Sequence, residues 1–466
     1  MTKETKNNTT SEDFRSVIIE KWNSMETKAD IVSLINVSLK DLYGEKAKQV
    51  TLRKLNYFAY SAINKKRYIS FEIPKKDGSK RKIDAPCNGL RTIQRALNHV
   101  FQIVYTPHVA AMGFVPGRSV ATNANIHVGQ RYVYNIDLKD FFPSISSGRI
   151  FKRLQSKPFS LKVEVARIIT DLCCYSNTEG KNVLPQGAPT SPTITNFICE
   201  RLDVKLTRLA NAYGLKYSRY ADDITFSGMN DMFDKDGKFC QSLHHIIEEE
   251  EHFVINQRKT RLCHTGMRQE VTGVTVNQKA NVSRRYVKQI RTLIHNWEKL
   301  GYEEAQTIFL SKYKNTKGHG FKGVHHIENI IAGKLLYMKM IKGDADSTYM
   351  RLVERFEIIL KTCFSREKNH CKDAETNVVE DSKNISATTL SPILDEWEKN
   401  GMESALELFK QNMEYTSKSG SPNSKMANTN EMTGLPTGED DEMIAYFDLD
   451  LDSPDEGTFE IDWDET

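Results

Sequence analysis

Two adjacent carboxylates, Asp222 and Asp223, lie between runs that read as strands, Lys216 to Tyr220 and Asp222 to Ser227. A tight turn between two strands is therefore expected at Tyr220-Ala-Asp-Asp-Ile224. Paired acids in an apolar hairpin are costly unless a counter-charge neutralises them. A third acid, Asp137, closes another short β-rich run, Tyr132-Val-Tyr-Asn-Ile-Asp137. Three carboxylates on two strand ends suit hard divalent cations such as Mg²⁺, which keep water and take phosphate oxygens as ligands. A pair of such ions can activate a 3′-hydroxyl and stabilise a leaving pyrophosphate, so the chemistry that follows is nucleotidyl transfer. The alternative for Asp222 and Asp223 taken alone is a polar hairpin turn, where Asp is common.

The surrounding segments weigh against that alternative. Leu184-Pro-Gln186-Gly-Ala-Pro-Thr-Ser-Pro192 lies between the two carboxylate sites, and a Gly/Pro turn that opens a helix lets the backbone approach a flat ligand. Phe141 and Phe142 follow Asp137 by four and five residues, which would allow Phe142 to close over a sugar 2′ position. Upstream, Tyr68 to Pro74 and Arg81 to Pro86 flank the turn Lys75-Lys-Asp-Gly-Ser79 and form a basic β-hairpin. Helical spacing is expected over Phe14 to Ile63, Leu90 to Tyr105, Phe151 to Cys174, Pro192 to Tyr213, Leu243 to Phe253 and most of Arg284 to Leu360, with a strand pair or turn over Glu270 to Asn277.

Charge points the same way. The formal net charge is only +4, but residues 436–466 hold 13 acidic and no basic side chains. The rest carries 65 basic against 48 acidic groups, a net +17, as a polyanion-binding protein would. Arg284, Arg285, Lys288, Arg291, Lys312, Lys334 and Lys342 alternate with Tyr286, Tyr313 and Tyr337, so backbone contacts and stacking surfaces for unpaired bases are expected there. With 39% apolar residues the chain is neither collagen-like nor wholly disordered. No apolar stretch is long enough for a membrane span, and Met1 to Phe14 lacks the apolar core of a secretory signal. The eight cysteines form no Cys-x-x-Cys pair, so reduced thiols in a cytoplasmic protein are expected. One segment recurs: Leu293 to Ala305 matches Ile393 to Ala405, sharing Trp, Gly and Ala at an offset of 100 residues, and both copies continue to a phenylalanine, Phe309 and Phe409.

Read in order, the Ile73–Pro86 hairpin, Gly113-Phe-Val-Pro-Gly-Arg-Ser119, the Asp137 block, Gln186-Gly-Ala-Pro-Thr-Ser-Pro192 and Tyr220-Ala-Asp-Asp223 resemble reverse transcriptases, over about 70% of the chain. Asn123-Ala-Asn-Ile-His127 and Val271-Thr-Gly273 are similar to two signatures of the bacterial retron branch, the second associated with the thumb and with recognition of the cognate RNA. The resemblance implies an α+β right-hand polymerase of fingers, palm and thumb with a largely disordered C-terminal extension. On that plan the segments are a flexible arm (1–12), N-terminal helices and fingers (13–130), palm with part of the fingers (131–277), helical thumb (278–365), linker (366–390), the repeated island (391–410) and an acidic tail (411–466).

It implies roles as well. Asp137, Asp222 and Asp223 would bind two Mg²⁺ ions, with the Leu138 carbonyl as a further ligand. Lys75 and Arg81 would hold the triphosphate, Phe142 would select deoxyribonucleotides, and Gln186 would line the same pocket. Lys259 matches a lysine kept near the leaving group, although a basic helix end is equally expected. Asn123, His127, Val271, Thr272 and Gly273 would serve RNA recognition, with a buried structural role open for His127. The partners implied are dNTPs, a structured non-coding RNA that primes from a 2′-hydroxyl, its branched DNA product and an antiphage effector of the same locus. Two alternatives stay open: another defence-associated reverse transcriptase with different priming, and a non-catalytic scaffold that binds RNA and an effector.

Overall fold

The computed structural model describes residues 11–60, 66–74, 78, 80–317 and 325–370. It divides into two compact units, Met1–Ser283 and Arg284–Thr466. The repeat island, the acidic tail and Lys75 lie outside the described residues.

The first unit opens with α1 (Ser11–Asn23), α2 (Lys28–Tyr43) and α3 (Leu52–Ala59). Thr27 and Asp30 cap each other at the start of α2, which then buries Ile31, Leu34, Ile35 and Leu39 along one face. The expected hairpin follows as β1 (Tyr68–Pro74) and β2 (Lys80–Pro86), paired from Tyr68↔Pro86 to Pro74↔Lys80. Next come α4 (Asn88–Val104), α5 (Val120–Ile126) and β3 (Tyr132–Lys139).

The long helix expected over Phe151 to Cys174 is two helices, α6 (Ser147–Gln155) and α7 (Val163–Cys173). Pro158 sits in the break, where it removes a backbone donor and disfavours helix at the residue before it. After a small hairpin, β4 (Tyr175–Ser176) and β5 (Asn182–Val183), the helix expected from Pro192 to Tyr213 is also divided, into α8 (Ser191–Ile198) and α9 (Glu200–Ala212). Pro192 occupies the first turn of α8, where a missing N–H does no harm. β6 (Lys216–Tyr220) and β7 (Asp223–Gly228) form the expected carboxylate hairpin. α10 (Lys238–His244) runs into a π-helical turn, His245–Glu250, before β8 (Val254–Ile255), β9 (Arg261–His264), β10 (Glu270–Val271) and β11 (Val274–Thr275).

The central sheet is antiparallel, in the order β6-β7-β3-β8, with β9 also paired to β3. Tyr134, Ile136 and Leu138 of β3 and Ile224 and Phe226 of β7 join one apolar core with Ile194, Phe197 and Leu202 of the helices. Two strands, β8 and β9, follow one another along the free edge of β3. Neither was expected from local patterning, because each is too short to show a period.

The second unit contains α11 (Arg284–Leu300), α12 (Tyr302–Lys317), α13 (Ile327–Lys342) and α14 (Ser347–His370). Its core holds Ile290, Ile294, Trp297, Ile331, Leu335, Met338, Leu352 and Phe356. Trp297 packs edge-on to Tyr302 and Phe356. Ala305 and Phe309 are buried too, and Gly301 ends α11 at φ +83°, so the first copy of the repeat is a packing motif. The last helix extends to His370, beyond the expected linker start at residue 366. Two expectations need correction. Lys342 is no nucleic-acid contact as it stands: it is 6% exposed and paired with Asp346 at 2.9 Å. Tyr286 and Tyr337 are not open stacking surfaces but pack on each other, with Lys334 over the Tyr286 ring. Among the described residues no helix is long and apolar enough to cross a membrane, and Cys87, Cys173, Cys174, Cys199, Cys240 and Cys263 are free thiols.

Candidate active site

The strand pairing of β3 and β7 runs from Tyr132↔Gly228 to Asp137↔Asp223. It therefore sets Asp137 directly across from Asp223, with Asp222 one residue earlier in the turn. Like charges across a strand pair repel, so this arrangement needs support from elsewhere. The turn is also strained, because Ala221 has φ +55°, a left-handed conformation that costs a side-chain-bearing residue about 1–2 kcal/mol.

Beneath the turn stands Arg219, fully buried. Its guanidinium donates to both Asp203 carboxylate oxygens, from Nε at 2.8 Å and Nη2 at 2.7 Å, and to the Ala221 carbonyl at 3.1 Å. Asn196 accepts from it as well, and Tyr217 donates to Asp203 at 2.7 Å. Burial is the largest influence and opposes the charged form of Arg219, but the Asp203 charge and hydrogen bond, with Cys199 and Tyr217, together outweigh it and raise the guanidinium pKa. Burial, with the Asp203 charge, pushes the Tyr217 phenol up, so it remains a donor. This fork is stiff enough to hold a left-handed alanine in place.

Gly113 backs the other side of the turn. A Cβ there would stand 2.7 Å from the Ala221 nitrogen, so only glycine allows the approach. Asn196 fixes that glycine by donating to its carbonyl at 3.0 Å. Backbone bonds from Arg219 to Ala110 and from Met112 to Arg219 close the clamp. The Leu138 N–H donates to the Asp222 carbonyl at 3.2 Å.

Lys259 lies between β8 and β9, and its ammonium meets Asp137 Oδ1 at 3.0 Å. Asn256 donates to Asp137 Oδ2 at 2.9 Å and, through its backbone N–H, to the Asp137 carbonyl at 2.8 Å. Lys259 is thus in a turn rather than at a helix end. As the side chains stand, no three His, Cys, Asp or Glu residues among those described are grouped closely enough to hold an ion. The donor chemistry nonetheless fits a hard divalent cation: Asp137 and Asp223 face each other across β3 and β7 with Asp222 beside them, and one of the three already holds a cationic ammonium.

Gln186 is tied to the fingers hairpin, since its carbonyl accepts from the Asp84 N–H at 2.8 Å. Gly187 has φ +124°, and a Cβ there would stand 2.8 Å from the Ile83 side chain. Arg81 is half-buried opposite Ile73 on that hairpin. Phe142 is half-buried and edge-on to Phe141, their ring centroids 5.6 Å apart.

The two signature motifs meet. Val271 is buried and ends β10, while Thr272 and Gly273, at φ +47° and +77°, form the two-residue turn to β11. Asn123 donates to the Thr272 hydroxyl at 3.3 Å. This turn belongs to the first, sheet-bearing unit, not to the helical one. Asn123, His127 and Val271 are at most 1% exposed, so direct RNA contact by their side chains is closed; burial of the His127 ring pushes its pKa down to about 3. Sequence reasoning missed Arg219, Asp203, Asn196 and Asn256. Only Arg219 carried a signal, an arginine inside a short strand next to the acids. Gly113 stood in a quoted motif without a role.

Residues 73–297 match the family described as "Reverse transcriptase (RNA-dependent DNA polymerase)". The Retron Mx162 reverse transcriptase of Myxococcus xanthus is 38% identical over 284 residues, covering 54% of this chain and 58% of its own length. The Retron Ec86 reverse transcriptase of Escherichia coli is 34% identical over 256 residues, covering 54% of this chain and 76% of its own. The matched stretch thus spans a little over half of the first relative and about three quarters of the second. Among solved structures, telomerase from Candida albicans in complex with a TWJ fragment of telomeric RNA aligns over 71% of each chain, at 12% identity and a TM-score of 0.36.

Proposed function

This chain belongs to the retron reverse transcriptases, whose fold is the right-hand polymerase, and on that premise we propose that it is an RNA-directed DNA polymerase. Its template would be a cognate structured non-coding RNA, copied into branched single-stranded DNA in the cytoplasm, in antiphage defence with an effector of the same locus. The observation that carries the reading is the cross-strand pair Asp137↔Asp223 with Asp222 beside it, the last two at a turn held by a buried cation.

Asp137, Asp222 and Asp223, with the Leu138 carbonyl, would hold two Mg²⁺ ions. When bound, Mg²⁺ supplies charge stabilisation on phosphate oxygens and lowers the pKa of the attacking hydroxyl. The protein's part is positional. Arg219 and Gly113 fix where Asp222 and Asp223 stand, and Asn256 orients Asp137. Lys259 offers an exposed ammonium beside that carboxylate, suited to giving a proton to a departing pyrophosphate. Arg81 and Lys75 would draw the triphosphate onto the hairpin, Phe142 would exclude a 2′-hydroxyl, and Gln186 would line the pocket that its backbone fastens to β2. The turn at Thr272 and Gly273 would meet the RNA, shaped from inside by Asn123, His127 and Val271.

The test is Asp222→Asn with Asp223→Asn in the full chain. DNA synthesis on an RNA template should fall about a thousandfold or more, with the melting temperature unchanged. Synthesis at the original rate would overturn the proposal.

A further inference from the structure

The basic hairpin carries a buried carboxylate, Asp84 of β2, that the chemistry above does not use. Burying a carboxylate is costly unless its oxygens find donors, so its partners show what it holds together. Ser70, directly across the hairpin in the β1–β2 register, donates to Asp84 Oδ1. Lys82, two residues back on the same face, brings its ammonium to 3.6 Å from that oxygen. The buried Tyr175 of β4 donates to the same carboxylate. The Asp84 backbone N–H donates to the Gln186 carbonyl at 2.8 Å. One residue thus ties both strands of the hairpin to both ends of the segment that runs from Tyr175 through β5 to Gln186.

The partners are themselves held. Tyr175 packs on Tyr68 of β1, ring centroids 5.5 Å apart. The Tyr68 hydroxyl accepts from Gln94, whose amide also donates to the Leu172 carbonyl. At the base of the hairpin the buried Arg67 guanidinium donates to the carbonyls of Phe58, Asp171 and Cys174. On the opposite face Ile83 lies against Gly187, which has no Cβ to keep it away. Toward the tip Phe71 and Ile73 are exposed, so Asp84 stands where the packed part of the hairpin gives way to the solvent-facing part.

Strand alternation sorts the cations of β2. Lys80 and Lys82 share the Asp84 face, where Lys80 pairs with Glu72 at 2.9 Å and Lys82 stands 5.9 Å over the Tyr175 ring. Arg81 shares the other face with Ile83, the face that meets Gly187. It lies three residues, or about 10 Å, beyond Asp84, so a small rocking of the strand at Asp84 is carried to the guanidinium.

We propose that Asp84 is a positioning residue for the incoming nucleotide: it sets the height of the hairpin over the Gln186–Gly187 turn and so the point at which Arg81 meets the triphosphate. This rests on the polymerase reading above, in which Arg81 holds the triphosphate and Gln186 lines the pocket. Asp84 acts through the backbone of β2, with its own carboxylate turned to Tyr175 and away from the Arg81 face.

The experiment follows steady-state synthesis by the full chain on poly(rA)·oligo(dT) as dTTP is varied. Asp84→Asn keeps the shape, loses the charge and sets an amide donor among the donors Ser70 and Tyr175. It should raise the KM for dTTP about tenfold and leave kcat within about twofold. Tyr175→Phe removes one bond and should raise KM about threefold. Arg81→Ala should raise KM by more than either, and Asp84→Asn in that background should add nothing, because its effect passes through Arg81. A wild-type KM in Asp84→Asn overturns the proposal, and so does a fall in kcat at constant KM, which loss of folded enzyme alone produces. Full additivity of Arg81→Ala and Asp84→Asn overturns the route through Arg81. Should Asp84→Asn fail to fold, Tyr175→Phe and Ser70→Ala are read in the same assay, and a wild-type KM in both overturns the proposal. A wild-type chain that makes no DNA on this template sinks the polymerase reading instead. Equilibrium binding of dTTP to the wild type and to Asp84→Asn then decides on Asp84 alone, with about tenfold weaker binding expected in the variant and equal binding overturning its role.

Discussion

Ser218 and Arg219 are neighbours on β6, and successive strand residues point to opposite faces. On one face Ser218 enters a neutral line of hydroxyl, imidazole and amide groups that ends at the Thr272 turn. On the other, Arg219 enters a charged cluster with Asp203 that ends at the Ala221 turn. Both are fully buried, and each governs a strained turn with a positive φ. The charged side suits a site where three carboxylates must stay put: a forked cation fixes geometry, and its charge hardly changes with pH. The neutral side suits orientation, because each hydroxyl and amide passes on a donor–acceptor sense that a symmetric ion pair could not. One strand thus serves position on one face and polarity on the other.

The comparison breaks first on the charged side. Asp203→Leu would leave Arg219 buried without its counter-ion and should lower the unfolding free energy in urea by about 3–5 kcal/mol. Adding Arg219→Met should restore most of that loss, since an apolar pair of similar volume can replace a buried ion pair. DNA synthesis should stay lost in the double variant, because the Ala221 carbonyl no longer has its donor. A double variant that both folds and polymerises would show that the cluster serves stability alone.

The neutral side should be softer. His127→Leu removes both bonds of the imidazole, leaving the Ser227 hydroxyl without that acceptor and Ser218 without that donor, for an expected loss of about 1–3 kcal/mol in the same urea experiment. A loss as large as that of Asp203→Leu would erase the distinction between the two faces.

How far the sequence revealed this arrangement depends on the range of the contact. The hairpin around Asp222 and Asp223, the strand ending near Asp137 and the basic hairpin were legible because alternation and turn residues are local signals. The ordered motif blocks then located the site. Partners across the fold were not legible: Asp203 meets Arg219 from another element, and Asn256 reaches Asp137 from 119 residues away. Helix breaks at Pro158 and Cys199 were hidden by apolar spacing that continues on both sides of them. Lys342 and Tyr286 looked like nucleic-acid contacts by composition, and only packing revealed that Asp346 and Tyr337 already engage them. Position 127 could be narrowed to a signature or a core histidine, and burial joins the two readings.

The smallest effect is a difference in pH response between the two faces. The His127 pKa is lowered from 6.5 to about 3, so the unfolded chain takes up its proton first as pH falls. Stability from the neutral ring is therefore fully present above about pH 6.5 and is lost as pH drops from there toward 3. Between pH 7 and pH 5.5 the linkage amounts to about 1 kcal/mol. Arg219, whose pKa is raised above an already high value, stays protonated throughout and adds nothing to this slope. Urea unfolding at the two pH values, for the wild type and for His127→Asn, isolates the histidine because every other titrating group is shared. The wild type should lose about 1 kcal/mol more than the variant on acidification. Equal losses would mean that the ring takes up a proton in the folded chain, and a charged imidazole would donate from both nitrogens and leave the line to Thr272 without a direction.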